Sequence, residues 1–419
     1  MRLLLSPSQV VRKLLFSFCA AGIIAAVSLN TALAHPRHQH DDAQASASLR
    51  LSEADQLRLN ELTAQLNNNP ENAQAAVAFA RFAATQARRL GDTMLLRRAA
   101  EILAPWESVE NPPISVLLVR ANIKQIDHRF DAALNDLNQA IRRNPVNPQA
   151  RLSRAFILST IGDADSAAAD CAALRANISI YIRETCRARV NGLVGAIDEA
   201  DARMEALLGV VQPASPAERL FALSIAADIA ERQGAIVAAE VHYKEMLSID
   251  DVSVYARAAY ANFLVTQDRL AEARDTIGDA PHTEALLLLR VLAADHTSDA
   301  VAKSAARELS LRMAVDRAEG DFSHAREYAR FALDHMNDAV LALEMAQENW
   351  QVQKEPVDAR ILVRSAMAAH TPSIIDEMRI WVAKTGLQDY SLDILLIEDG
   401  LENTGKIQDK THAHASVIE

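Results

Sequence analysis

The sequence predicts an all-α fold, a right-handed α-solenoid of stacked helix–turn–helix repeats, and three observations predict it. Half of the 419 residues are hydrophobic, yet aromatics make up 5% and there are only 12 glycines, a composition dominated by strong helix formers. Alternating runs of β-branched and aromatic residues, the mark of strands, are hard to find. A pattern of small residue, turn and alanine then recurs along the chain at a near-constant interval, which is the signature of a repeat array.

The pattern is read residue by residue as follows. Ala84 precedes Leu90-Gly91-Asp92; Ala155 precedes Ile161-Gly162-Asp163 and Ala167; Ala188 precedes Val194-Gly195-Ala196 and Ala200. Ala227 precedes Gln233-Gly234-Ala235 and Ala239. Two copies lack the glycine: Ala121 leads through His128-Arg129-Phe130 to Ala133 and Ala140, and Ala261 through Asp268-Arg269-Leu270 to Ala273 and Ala280. The six leading alanines are separated by 37, 34, 33, 39 and 34 residues. Gly320-Asp321-Phe322, followed by Ala325 and Ala332, reads as a further within-unit turn, as does Lys354-Glu355-Pro356, followed by Ala359 and Ala366. Between them and the regular copies, residues 282–317 hold two helical stretches that do not fit the register.

The spacing has a physical cause. Two helix backbones approach closely only where both contact residues are small. Glycine accepts the left-handed conformation that ends a first helix, and proline stops a second helix and starts the next. Leu117, Leu137, Phe156, Ile225, Tyr243 and Leu264 are expected to fill the space between units, because no single unit buries enough apolar surface by itself.

With the alanines, turns and closing prolines in view, the chain resembles the tetratricopeptide repeat (TPR) family, whose helix–turn–helix unit spans about 34 residues. The best copy runs from Leu117 to Asn147 and contains FDAALNDLNQAIRRNPVN. The resemblance covers about residues 70–370. It implies a curved array whose concave side is lined by first helices and holds a peptide or protein partner. Counting one residue beyond the leading alanines from Ala121 to Ala261 gives the expected contact stripe: Asn122, Phe156, Arg189, Asp228 and Asn262, with Phe221 and Tyr255 further back on their helices. Members that capture an acidic C-terminal peptide use several basic residues here; this stripe supplies only Arg189, so a partner with basic or apolar anchors is expected.

Outside the array the elements follow in order. Residues 1–34 read as a signal peptide: Arg2, Arg12 and Lys13 precede a mostly apolar stretch from Leu14 to Leu29, and Ala32-Leu33-Ala34 offers small residues for cleavage after Ala34. The expectation is an exported, periplasmic protein with no integral membrane segment after cleavage; an uncleaved anchor is the other reading, weakened by Ser28, Asn30 and Thr31. Residues 35–50 form a polar leader, 51–70 a capping helix, 71–370 the array of about seven or eight units, 371–399 terminal capping helices and 400–419 a loose tail.

Charge and motifs narrow the function. Loss of the leader removes three basic residues and no acid, so the net charge of −12 becomes −15, which repels nucleic-acid phosphates. Neither G-x-S-x-G nor H-E-x-x-H occurs, and no phosphate-binding glycine loop does, so an enzyme and a bound cofactor are not expected. The main expectation is an interaction scaffold. The alternative is a metal-handling accessory, since His35, His38 and His40, with Asp41 and Asp42, could hold zinc or copper at the new N-terminus, although Pro36 and the polar context give them little support. After cleavage only Cys171 and Cys186 remain. They fall about two turns from the same interhelical turn on antiparallel neighbours, so a structural disulfide is expected, with two buried thiols as the other reading.

Overall fold

The computed structural model describes residues 51–174, 178–210, 215–294 and 299–397. Among them no strand occurs. The leader, His35, His38 and His40, and the tail from 398 lie outside the described residues. A short lead-in helix, α1 (Glu53–Asn68), is capped by Ser52, whose hydroxyl accepts from the Asp55 amide. Regular hairpins follow: α2 (Ala73–Leu90) with α3 (Thr93–Leu103), α4 (Ile114–Ile126) with α5 (Phe130–Arg143), and α6 (Pro148–Thr160) with α7 (Ala164–Ala173). Next come α8 (Ile180–Leu193) with α9 (Ile197–Val210), α10 (Pro216–Arg232) with α11 (Ile236–Ile249), and α12 (Val254–Thr266) with α13 (Leu270–Ile277).

Helix contacts are made where the sequence offers small residues. Ala84, Ala121, Ala155, Ala188, Ala227 and Ala261 are all buried, as are Ala133, Ala167, Ala200, Ala239 and Ala273 on the second helices. A larger side chain at either place would push the two axes apart. Leu117, Leu137, Ile225, Tyr243 and Leu264 fill the space between units, while Phe156 stays half-buried.

All six hairpin turns pass through a left-handed residue at the same position. Four are Gly91, Gly162, Gly195 and Gly234; the other two are His128 at φ 55° and Asp268 at φ 57°. The two copies without glycine therefore keep the turn and bear its steric cost. Asp268 is exposed, so replacing it removes no packing. Asp268→Gly is expected to stabilise the fold by about 0.5–1 kcal/mol, the relief of left-handed strain less the entropy of a new glycine. Urea unfolding checks it; an unchanged or lower midpoint contradicts the account.

The register changes in the last third, and here the sequence expectation is corrected. α14 (Glu284–Leu292) and α15 (Ala300–Glu319) form a hairpin of their own. α16 (Ala325–Phe331) then packs on α14 and on α18 (Pro356–Ala368), the relation that first helices have to one another. Gly320 and Glu355 thus sit between units rather than within them. The within-unit turns of the last two hairpins are Asn337, between α16 and α17 (Ala339–Val352), and His370, between α18 and α19 (Pro372–Thr385), at φ 55° and 52°. Neither is glycine. A π-helical turn over Ala332–Met336 also inserts an extra residue, so the buried Ala329 precedes its turn by one residue more than the other leading alanines do. In the final hairpin the leading position is Val363. A last helical stretch covers 390–397.

The array also closes on itself. Ring, backbone and side-chain contacts join the early hairpin turns to segments of the last third of the chain. Gly91 lies against Pro281 and Thr283, His128 against His324, Gly162 against Lys354, Gly195 against Gly386 and Gly234 against Tyr390. Hydrogen bonds along the same line span 195 residues, from Thr160 to Glu355, and 191 residues, from Ile197 to Gln388. The first four pairs are offset by 190 to 196 residues, so one turn of the coil stacks on the next; Gly234 and Tyr390, 156 residues apart, depart from that offset. Gly195 shows what this demands: a Cβ there would stand 2.9 Å from the Gly386 carbonyl oxygen. Glycine is needed at this position for close approach as well as for its φ of 81°.

Candidate functional site

Two buried ionic units stiffen the hairpins that present the candidate stripe. Asp136 on α5 accepts from Arg120 on α4, and from Lys124 Nζ at 2.8 Å. Asp170 on α7 repeats the arrangement, accepting from Arg154 Nε at 2.6 Å and Arg151 at 2.6 Å. Both Arg–Asp pairs are 16 residues apart. The sequence carried a signal for them: an arginine just before the leading alanine, and an aspartate three residues after the answering alanine of the second helix.

The stripe residues lie on successive first helices. Phe156 of α6 meets Phe221 of α10, with ring centroids 5.1 Å apart, and the Arg189 guanidinium of α8 stands 5.0 Å from the Phe156 ring. Arg189 also donates to Ser159 Oγ at 2.8 Å, Thr160 Oγ1 at 3.2 Å and Glu355 Oε1 at 2.6 Å. Asp228 pairs with Arg232 at 3.1 Å, and Asn262 Oδ1 accepts from Arg330 at 2.6 Å. Asn122 is half-buried. Tyr255 is 46% exposed, with the Arg88 guanidinium 5.9 Å from its ring. The structure therefore brings Phe156, Arg189 and Phe221 into one cluster, while Asn122, Asp228, Tyr255 and Asn262 stand apart from it.

The corrected register extends the stripe. The residue beyond Ala329 is Arg330 and the residue beyond Val363 is Arg364, so the stripe holds three arginines rather than one. Arg364 donates to Asp334 at 2.5 Å, and Arg330 lies 3.7 Å from the same carboxylate. Burial, opposed by Asp334, lowers the Arg330 pKa, and the neighbouring Arg364 lowers it further. Sequence reasoning missed both residues because Gly320 and Lys354-Glu355-Pro356 look like within-unit turns, whereas the turns that follow Arg330 and Arg364 are the non-glycine residues Asn337 and His370, and Val363 takes the place of an alanine.

Glu355 joins this stripe to the next turn of the coil. Its carboxylate takes one bond from Arg189 and another, at 2.8 Å, from Arg326 Nη2, while Arg326 also holds Asp358 at 2.6 Å. Burial raises the Glu355 pKa, but the two guanidinium groups outweigh it and hold the carboxyl well below the usual range. The preceding amide, Lys354 N–H, donates to the Thr160 carbonyl at 2.8 Å. Gln353 and Glu355 are both extended, so residues 353–355 lie along the ends of α6 and α8 as a short strand-like peptide would.

The geometry can be set beside known proteins. No family model and no curated protein sequence matches the chain. Among solved structures it is similar to the APC/C hetero-tetramer Cut9–Hcn1, at 14% identity over 74% of this chain and 52% of that one, with a TM-score of 0.40. A tetratricopeptide repeat protein from Parabacteroides merdae aligns at 13% identity over 74% of this chain and 99% of that one, with a TM-score of 0.35. Naa15/Naa10 bound to HypK-THB aligns at 14% identity over 78% and 61%, with a TM-score of 0.28. The chain spans about half the length of the Cut9–Hcn1 chain it matches.

The fold is a TPR-like helical solenoid. Its own paired hairpins, with their buried alanines and left-handed turns, carry that assignment. Two sequence features remain to be placed. Cys171 of α7 and Cys186 of α8 are joined as a disulfide, with Cα atoms 5.7 Å apart, tying the second helix of one unit to the first helix of the next. His35, His38 and His40, the candidate metal ligands, lie outside the described residues. Among those described, no group of three His, Cys, Asp or Glu side chains is placed to hold a metal ion, and no helix is long and apolar enough to cross a membrane.

Proposed function

We propose that the protein is an exported interaction scaffold that holds a peptide or protein partner along its first helices. The observation that carries this reading is the series at one repeat position, Asn122, Phe156, Arg189, Asp228, Asn262, Arg330 and Arg364, on first helices whose relative placement is set by buried alanines and, in the last unit, Val363. A rigid ladder of polar and aromatic side chains at regular intervals suits an extended ligand, with aromatic anchors giving affinity and the polar groups giving register. Export rests on the basic leader, apolar stretch and Ala32-Leu33-Ala34 of the sequence.

Affinity purification from envelope extracts tests the reading, comparing the wild type with Asn122→Ala plus Tyr255→Ala. Neither side chain belongs to the buried ionic units, so helicity should be unchanged. Partner recovery is expected to fall at least tenfold, the loss of about 1.4 kcal/mol or more. Equal recovery by the variant would remove the stripe as the binding surface.

A further inference from the structure

Among the described residues, the seam between successive turns of the coil contains one pair of facing rings that can both take a proton. His128, the left-handed residue of the α4–α5 turn, faces His324 at the start of α16 with ring centroids 5.9 Å apart. The two belong to different turns of the coil, so any force between them acts across the seam. Their surroundings differ. His324 Nε2 lies 3.6 Å from Glu284 at the start of α14, and Glu284 is itself held by Arg312 of α15 at 2.5 Å. His128 packs against Phe130, with centroids 5.7 Å apart, and its Nδ1 is buried without a hydrogen-bond partner.

We propose that this pair is an acid-operated clasp: protonation of both rings parts adjacent turns of the coil and releases Arg189 and Thr160 from residues 353–355. Every element around the pair supplies charge. Asp321, Arg326 and Glu327 flank His324 on its own segment, Asp316 and Arg312 approach from α15, Glu284 from α14 and Glu355 from the start of α18. Asp127 and Arg129 flank His128 and pair with each other at 3.2 Å.

The carboxylates crowd His324. Burial lowers its pKa, but Glu284 and the acids of its own segment outweigh that and raise it. Burial and then the facing His324 lower the pKa of His128 from 6.5 to about 4. The closed seam therefore favours a charged His324 beside a neutral His128. The sign follows from linkage. Once the seam parts, His128 regains its ordinary pKa, so acid drives opening throughout the interval between 6.5 and about 4. Over that interval the closed state loses about a factor of ten for each pH unit.

The Lys354 amide reports the seam directly, because its hydrogen bond to Thr160 crosses from one turn to the next one unit further along. Hydrogen exchange at Lys354 in the full chain, corrected for the intrinsic pH dependence of exchange, measures opening without any partner. Protection is expected to fall about a hundredfold between pH 6.5 and 4.5. Helix-interior amides such as those of Phe263 and Leu289 should keep theirs. His128→Asn tolerates the left-handed backbone and removes the titrating ring, so Lys354 protection in that variant should stay flat. Three results would overturn the clasp: constant protection in the wild type, the same loss in His128→Asn, or a loss shared by the core amides. The partner-recovery experiment is independent, so a failed clasp leaves the binding surface standing.

Discussion

Asp136→Ala is expected to destabilise the protein by about 3–5 kcal/mol, the largest effect of any single substitution considered for this chain. Asp136 is 2% exposed and neutralises Arg120 and Lys124, whose side chains are 9% and 10% exposed. Removing the acid leaves two buried cations facing one another. Glu107, 3.5 Å from each but half-exposed, is the remaining nearby carboxylate, and it sits where water screens it. Urea unfolding followed by far-UV circular dichroism measures the loss, and a change below about 1 kcal/mol would show that the cluster is not electrostatically closed. Adding Arg120→Met and Lys124→Met to the aspartate variant should restore most of the stability, because an apolar cluster of similar volume does not incur the desolvation of charge.

Loss of the Cys171–Cys186 bond should cost about 3 kcal/mol, the loop-closure entropy of its 15-residue span. Its place in the array gives the loss a distinctive form. The bond joins α7 to α8, so without it adjacent units are held at that point only by packing, and a solenoid unfolds where its nearest-neighbour interfaces are weakest. The Cys171→Ser, Cys186→Ser variant is expected to show an earlier, partial transition in urea, while Asp268→Gly shifts the transition upward. Labelling of the denatured, unreduced wild type should modify neither residue. Full labelling of both would show that the bond does not form in solution.

Much of the array was legible in sequence because its contacts are local. A leading alanine, a turn seven residues later and an answering alanine lie within one hairpin, and helix geometry alone brings them together. The same locality explains why the Cys171–Cys186 pair was readable from its spacing. The errors have equally physical causes. Gly320 looks like the within-unit glycines, but a left-handed helix end serves any turn, so the residue cannot say which turn it closes. Asn337 and His370 do the work of glycine without its name.

The candidate stripe divides along the same line. Asn122, Phe156, Arg189, Asp228 and Asn262 followed from periodicity, while Arg330 and Arg364 did not, because their units turn at Asn337 and His370 rather than at glycine and one of them leads with Val363 rather than alanine. The partners of the stripe were invisible. Nothing near Arg189 in sequence indicates that it meets Glu355, 166 residues away.

By itself, the sequence determined the helical unit of the six regular hairpins: which residues pair across a hairpin, where its helices stop, and that the units must stack to bury their apolar faces. Only the tertiary structure decided how far the coil winds. A small rotation repeated at each unit accumulates over the array, and its sum brings Gly195 against Gly386, His128 against His324 and Arg189 against Glu355. That sum depends on the shape of every interface together, so it cannot be read from any one of them.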